Sequence, residues 1–210
     1  MGLDYSYEIV TTHAGAENTL RVLTRHLHPD DRDRILDALG HGITEFEKCV
    51  QRNTRYENGY LCLCFLFPPD EALSASSDLL DYEDATGRVA LSCVDLTLRL
   101  GEKYVLLRNT AVTTTMSLLF AQSPNIRETF RQIGQESDAL LVTFDDEQDD
   151  ALAIWPHEKR LGTSYFTEWE ADEDADDTPP VDRYVPRLLE RRNAEREVSS
   201  AAWEETNAPS

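Results

Sequence analysis

Apolar residues recur along the chain with two periods, and the switches between them mark out elements. Residues 3–12, LDYSYEIVTT, alternate and are rich in Tyr, Ile, Val and Thr, which predicts an opening strand. In AGAENTLRVLTRHLH, Leu20, Leu23 and Leu27 fall three and four residues apart, as on an amphipathic helix, and His28-Pro29 stops it. PDDRDRILDALG reads as a second helix, with Pro29 near its start, acids in its first turn and Gly40 beyond its end. ITEFEKCVQR alternates imperfectly and is assigned to a strand. Asn58-Gly59 then gives a strong hairpin signal, so residues 45–53 and 59–67 are expected to pair. YLCLCFLF is apolar at both parities, as a central strand covered on both faces would be, and Pro68-Pro69 ends it. Residues 70–86 are small, polar and acidic, which predicts a surface loop with a turn of helix.

RVALSCVDLTLRL alternates, but the apolar parity changes near Val94, which predicts either a bulge or two faces with different neighbours. Gly101-Glu102 turns the chain into KYVLLRNTAVTTT, giving an antiparallel pair of long strands. SLLFAQSPNIRETFRQIGQES is helical: Ser123-Pro124 supplies a cap and first residue, and Ile126, Phe130 and Ile133 form a stripe ending at Gly134. ALLVTF and ALAIWP flank DDEQDD, a hairpin with an acidic tip, and TSYFTEW is expected to form a last short strand. Beyond it, Val185, Leu188 and Leu189 give only a short stripe, and Pro186 argues against an unbroken helix, so a charged, marginal helix is expected from about Arg187. The pattern assembles into one α+β domain, residues 1–166, with a mainly antiparallel sheet covered by two to three helices. An acidic, Pro-containing linker (167–180) and a charged helix with a disordered end (181–210) form an acidic C-terminal tail.

Charge narrows the function classes. Forty acids against twenty bases leave a net charge of −20. Such a surface repels nucleic acid and anionic membranes, while a basic protein partner suits it. No apolar run reaches the length of a membrane span, and the opening residues lack the pattern of a secretory signal. The expected location is the cytoplasm, with reduced thiols.

Motifs add little chemistry. Asp172, Asp174 and Asp176 have the spacing of the first ligands of a calcium loop. The sixth and twelfth positions, which need Gly and Glu, hold Asp177 and Arg183. Asp145, Glu147 and Asp149 fail the same test, with Asp150 and Pro156 at those positions. Cys62 and Cys64 lie one residue apart on a strand, unlike a zinc knuckle, and with Cys49 and Cys93 are read as buried thiols packing in the sheet. No nucleophile elbow, phosphate-binding loop or dinucleotide fingerprint is present in the sequence, so neither catalytic residues, nor a metal, nor a cofactor is assigned.

The opening MGLDYSYEI and the segment AVTTTMSLLFAQSPNIRETF resemble a group of small, functionally uncharacterised proteins of actinobacteria. The resemblance covers about thirty residues and implies a shared fold core around the first strand and the Ser123 helix. It implies no activity. The reading that follows is a non-enzymatic cytosolic interaction protein, of the immunity or inhibitor type. Asp145, Asp146, Asp149 and Asp150 at the hairpin tip are its candidate contacts with a basic partner. The alternative is a small-molecule or metal-dependent enzyme with a pocket at the hydroxyl-rich strand end Asn109–Thr115.

Overall fold

A computed structural model describes residues 4–52, 59–76, 86–146, 151–161 and 181–193. Among these residues seven strands form one sheet: β1 (Ser6–Thr12), β2 (Leu61–Phe67), β3 (Val89–Leu100), β4 (Tyr104–Ala111), β5 (Leu141–Asp145), β6 (Leu152–Trp155) and β7 (Lys159–Arg160). Their order is β2-β3-β4-β1-β5-β6-β7, and every neighbouring pair is antiparallel. The helices are α1 (His13–Leu23), α2 (Pro29–Leu39), α3 (Ile43–Arg52), α4 (Glu71–Ala75), α5 (Thr114–Gln122) and α6 (Pro124–Glu136), with a 3-10 turn at Thr24–His26. A final helix, α7, spans residues 181–193. The α+β reading, the antiparallel sheet, the β3–β4 pair and the β5–β6 hairpin are all present.

β1 lies at the centre, and its alternation divides the molecule. Tyr7 and Ile9 face the larger core, with Leu20, Leu23, Ile35, Phe46, Phe120, Phe130 and Ile133 from the helices. Tyr7 anchors this core: its ring stacks on Phe130 with centroids 4.3 Å apart, and its hydroxyl donates to the Phe120 carbonyl at 2.9 Å. Burying the phenol with its hydrogen bond made avoids the penalty of an unsatisfied polar group. Side-chain caps fix the helix starts. Thr12 accepts from Gly15 N, and Thr113 from Met116 N. Ser123 accepts from Ile126 N. Asp70 caps α4 through Leu73 N and also receives Ser123 Oγ and Asn125 N, so one carboxylate serves two helix starts.

Three sequence expectations change. Residues 43–52 are helical, because Phe46 and Val50 lie one turn apart and bury on one side. The expected hairpin therefore does not form, and β2 pairs with β3; Asn58 itself lies outside the described residues. β2 is a strand, but an edge strand with one face open rather than a central one. Its outer edge is covered by the start of α2: His28 N donates to Cys64 O at 2.9 Å, Asp31 Oδ2 accepts from Cys64 N at 2.7 Å, and Arg34 Nη2 donates to Cys62 O at 2.9 Å. Those bonds blunt an edge that would otherwise invite pairing with another chain. Gly134 lies inside α6 rather than at its end; a Cβ there would meet Val142 Cγ2 at 2.6 Å, so glycine lets the helix approach β5.

Of the two readings of the parity change in β3, a bulge is present: the β2–β3 register shifts between Leu63 and Phe65, and Cys93 adopts φ 60°. The proposed strand TSYFTEW lies outside the described residues. Among the described residues no helix is long and apolar enough to cross a membrane.

Candidate functional site

The second face of the sheet carries the most unusual chemistry. Alternation puts Ser6, Glu8 and Val10 of β1 there, and the register aligns Glu8 with Arg108 on one side and Thr143 on the other. Ser6 aligns with Asp145. Over these residues lies α7, whose Val181, Tyr184, Val185 and Leu188 pack on Val10, Leu106, Leu141, Ala153 and Leu161. Here too the structure departs from expectation. The helix begins at residue 181 and runs through Pro186. The buried apolar stripe outweighs the hydrogen bond that proline removes, since tertiary packing supplies most helical stability in proteins. The Asp182 carboxylate receives the backbone amides of Glu102 and of Lys103, tying the start of α7 to the β3–β4 turn. Gly101 permits this approach, because a Cβ at that position would lie 2.5 Å from Asp182 Oδ2.

Beneath Tyr184 sits a charged cluster with almost no solvent contact. Glu8 and Asp145 are fully buried and Arg108 nearly so. Arg108 Nε lies 3.9 Å from Glu8 Oε1 and donates to Ser6 Oγ at 3.0 Å. Tyr184 donates its hydroxyl to Glu8 Oε2 at 3.3 Å, and Thr143 Oγ1 donates to the same oxygen at 3.4 Å. Glu8 Oε1 makes no hydrogen bond among the described residues. Burial pushes the Glu8 carboxyl up to about 7, with Arg108 drawing it back and Asp145 adding to the rise. Burial, reinforced by the Glu8 charge, also raises the Tyr184 phenol. The cluster is thus a proton-linked joint between sheet and helix, closed to any substrate by α7.

Of the expected contact residues, Asp145 is placed differently. Asp145 is fully buried under α7, so its carboxylate is not at a surface. Asp146 is partly exposed, and Asp149 and Asp150 lie outside the described residues. Asn109–Thr115 is used structurally: Asn109 is buried and donates to Tyr7 O at 3.3 Å, and Thr113 caps α5. A cavity of about 400 Å³ opens elsewhere, between the α5–α6 junction and β6, lined by Ser123, Pro124, Arg127, Glu128, Arg131 and Glu158. Its charges answer one another. Arg131 makes two hydrogen bonds to Glu128 at 2.7 and 2.6 Å, and Arg127 stands 3.6 Å from Glu158.

The cysteines also differ from expectation. Cys49, Cys62 and Cys93 are exposed and Cys64 is partly so: Cys62 and Cys64 lie on the face of β2 turned away from the larger core, and Cys49 is on the outer side of α3. Among the described residues, no group of three or more His, Cys, Asp or Glu side chains is placed to hold a metal ion. Asp172, Asp174 and Asp176 lie outside the described residues.

Sequence reasoning missed the Glu8–Arg108–Tyr184 joint. Glu8 stands at a polar position of an alternating strand, which reads as solvent-facing until a helix is known to cover that face. Arg108 and Tyr184 are its partners only through register and docking.

The distribution of charge is uneven. The described residues hold 21 acids and 18 bases, a net of −3. The other 19 acids and two arginines, a net of −17, lie in residues 53–58, 77–85, 147–150, 162–180 and 194–210. The most acidic of these segments connects Leu161 to Val181, both buried in the same small core under α7. No family model, no curated protein and no solved structure matches the chain.

Proposed function

We propose that this chain is a non-enzymatic interaction protein of the immunity or inhibitor type, acting in the cytoplasm, which neutralises a basic protein partner. The observation that carries the reading is the partition of charge: the described residues are near neutral, and most of the acid falls in the sequence between and beyond them. Seven acids lie between Glu168 and Asp177, in the stretch of sequence that links Leu161 to Val181. Carboxylates at that density along the sequence suit the lysines and arginines of a basic partner. Asp146, Asp149 and Asp150 extend the acidic contact at the β5–β6 connection, while Asp145 belongs to the buried joint. Acidic complementarity of this kind acts mainly on the encounter rate and on the rejection of wrong partners.

The test uses a panel of basic protein domains, toxin-type nucleases among them, titrated calorimetrically against the whole chain at physiological ionic strength. The expected result is a saturable complex of one chain with one partner. It weakens when the seven acids from Glu168 to Asp177 are changed to their amides. Equal, weak binding to every basic domain would contradict the proposal, as would a complex that the amide variant forms unchanged.

A further inference from the structure

The cavity between the α5–α6 junction and β6 is lined by charged side chains whose charges sum to zero. Arg127 and Arg131 stand one turn apart on α6, with Glu128 on the same helix and Glu158 on the β6–β7 connection. Ala121, Pro124 and Ile154 supply apolar wall. At about 400 Å³ the space has the size of a small-molecule site, with a few polar groups converging on it. The two ion pairs are not alike. Arg131 donates Nε and Nη2 to the two carboxylate oxygens of Glu128, a fork that engages both groups. Arg127 Nη1 and Glu158 Oε1 stand 3.6 Å apart, beyond hydrogen-bonding distance. Each therefore keeps bonding capacity for a third group, since a guanidinium carries several N–H donors and a carboxylate several lone pairs. The backbone at this corner is already engaged: Asn125 N donates to Asp70 Oδ2, and Ile126 N to Ser123 Oγ. Ligand recognition falls to the side chains.

Charge balance selects the ligand. A lone anion would be repelled by Glu128 and Glu158, and a lone cation by Arg127 and Arg131. A purely apolar molecule would take water from all four charges and return no hydrogen bond. A small zwitterion satisfies both halves of the open pair at once. We propose that this cavity binds a free α-amino acid with an apolar side chain. Its carboxylate accepts a forked pair of hydrogen bonds from Arg127, and its ammonium donates to Glu158. Its side chain lies on Ala121, Pro124 and Ile154. The Arg127 side chain is only 36% exposed, so its attraction for a carboxylate is screened less than that of a surface arginine. Binding is reversible and changes no covalent bond. It is a second property of the molecule, independent of the acidic contacts with a basic partner.

The whole isotope-labelled chain is titrated with L-phenylalanine and with L-leucine, followed by NMR and by calorimetry. Hydrocinnamate, which lacks the ammonium, and phenethylamine, which lacks the carboxylate, serve as half-ligands. The expected result is saturable binding of one amino acid per chain, with chemical-shift changes centred on Ala121, Arg127 and Ile154. Each half-ligand should bind about tenfold more weakly or worse. Arg127→Gln and Glu158→Gln should each weaken the amino acid by about tenfold or more. Arg127→Gln should leave phenethylamine binding unchanged, and Glu158→Gln should leave hydrocinnamate binding unchanged, a crossed pattern that general damage to the fold would not produce. Circular dichroism of each variant verifies the fold before titration. Absence of saturable binding with both amino acids would overturn the proposal. So would shift changes centred elsewhere, a half-ligand that binds as tightly as phenylalanine, or variants that bind phenylalanine unchanged.

Discussion

At the scale of the single residue, Glu8 couples the fold most directly to pH. Its carboxyl, ordinarily near 4.5, is raised to about 7 by burial. Between those values the folded chain keeps a proton that the unfolded chain has released. Stability therefore falls as pH rises from about 4.5 to about 7 and levels off above. His26 works in the opposite sense. Burial, aided by the Arg88 guanidinium 3.2 Å from its Nδ1, lowers it from 6.5 to about 4. The unfolded chain is then protonated first on acidification, so this contribution is lost as pH falls from 6.5 toward 4. The two slopes offset in the unmodified chain, and removing one unmasks the other. Glu8→Gln keeps an acceptor for Tyr184 and Thr143 and removes the buried charge. Urea unfolding should find the variant's advantage over the unmodified chain growing from pH 4.5 to pH 7, to a limit of roughly 3 kcal/mol. A constant difference across that range would show that Glu8 does not titrate in the fold.

At the scale of the element, α7 and the start of α2 close two exposed parts of the sheet, one a face and one an edge. Tyr184→Ala empties the centre of the α7 interface and should cost about 3 kcal/mol, by analogy with other aromatic truncations in cores. Pro186→Ala restores a backbone donor in the middle of that helix and should stabilise the chain by on the order of 1 kcal/mol, seen as a higher urea midpoint with an unchanged slope. A loss of stability would mean that the proline ring packs better than the helix geometry implies. Asp31→Ala removes the acceptor of Cys64 N and should cost about 1–2 kcal/mol. Sedimentation should also show self-association, because the β2 edge is then open.

These elements show what was legible in the sequence. Strands β1, β3 and β4 and helices α1, α2 and α6 follow from local period and capping, because each buries one face against the same core. In α3 the apolar spacing of three and four was present in Ile43, Phe46 and Val50, but the Asn58-Gly59 signal drew the reading toward a hairpin. α7 was obscured for another reason: Pro186 is a local argument against a helix, whereas the docking that sustains it is tertiary. The buried joint was illegible on the same ground, since Glu8, Arg108 and Tyr184 are separated by a hundred residues and by most of the chain.

At the scale of the whole molecule, charge is unevenly distributed along the chain. The described residues carry a net of −3, so most of the −20 lies in the other segments of the sequence. Changing the seven acids between Glu168 and Asp177 to amides should therefore leave the unfolding free energy from urea titration unchanged within about 0.5 kcal/mol, as is usual for surface substitutions. A large change in stability would place those acids in the folded core. The same variant should alter encounter with a basic partner, where long-range attraction acts before contact is made.

The association rate of the basic partner found by calorimetry, measured by stopped flow against ionic strength, tests the central claim most directly. From about 0.01 to about 0.15 M salt the screening length falls from about 30 to about 8 Å. The unmodified chain should lose at least tenfold in rate across that range, and the amide variant should be slower at low salt with a much flatter dependence. Equal rates and equal salt slopes for the two chains would contradict the account.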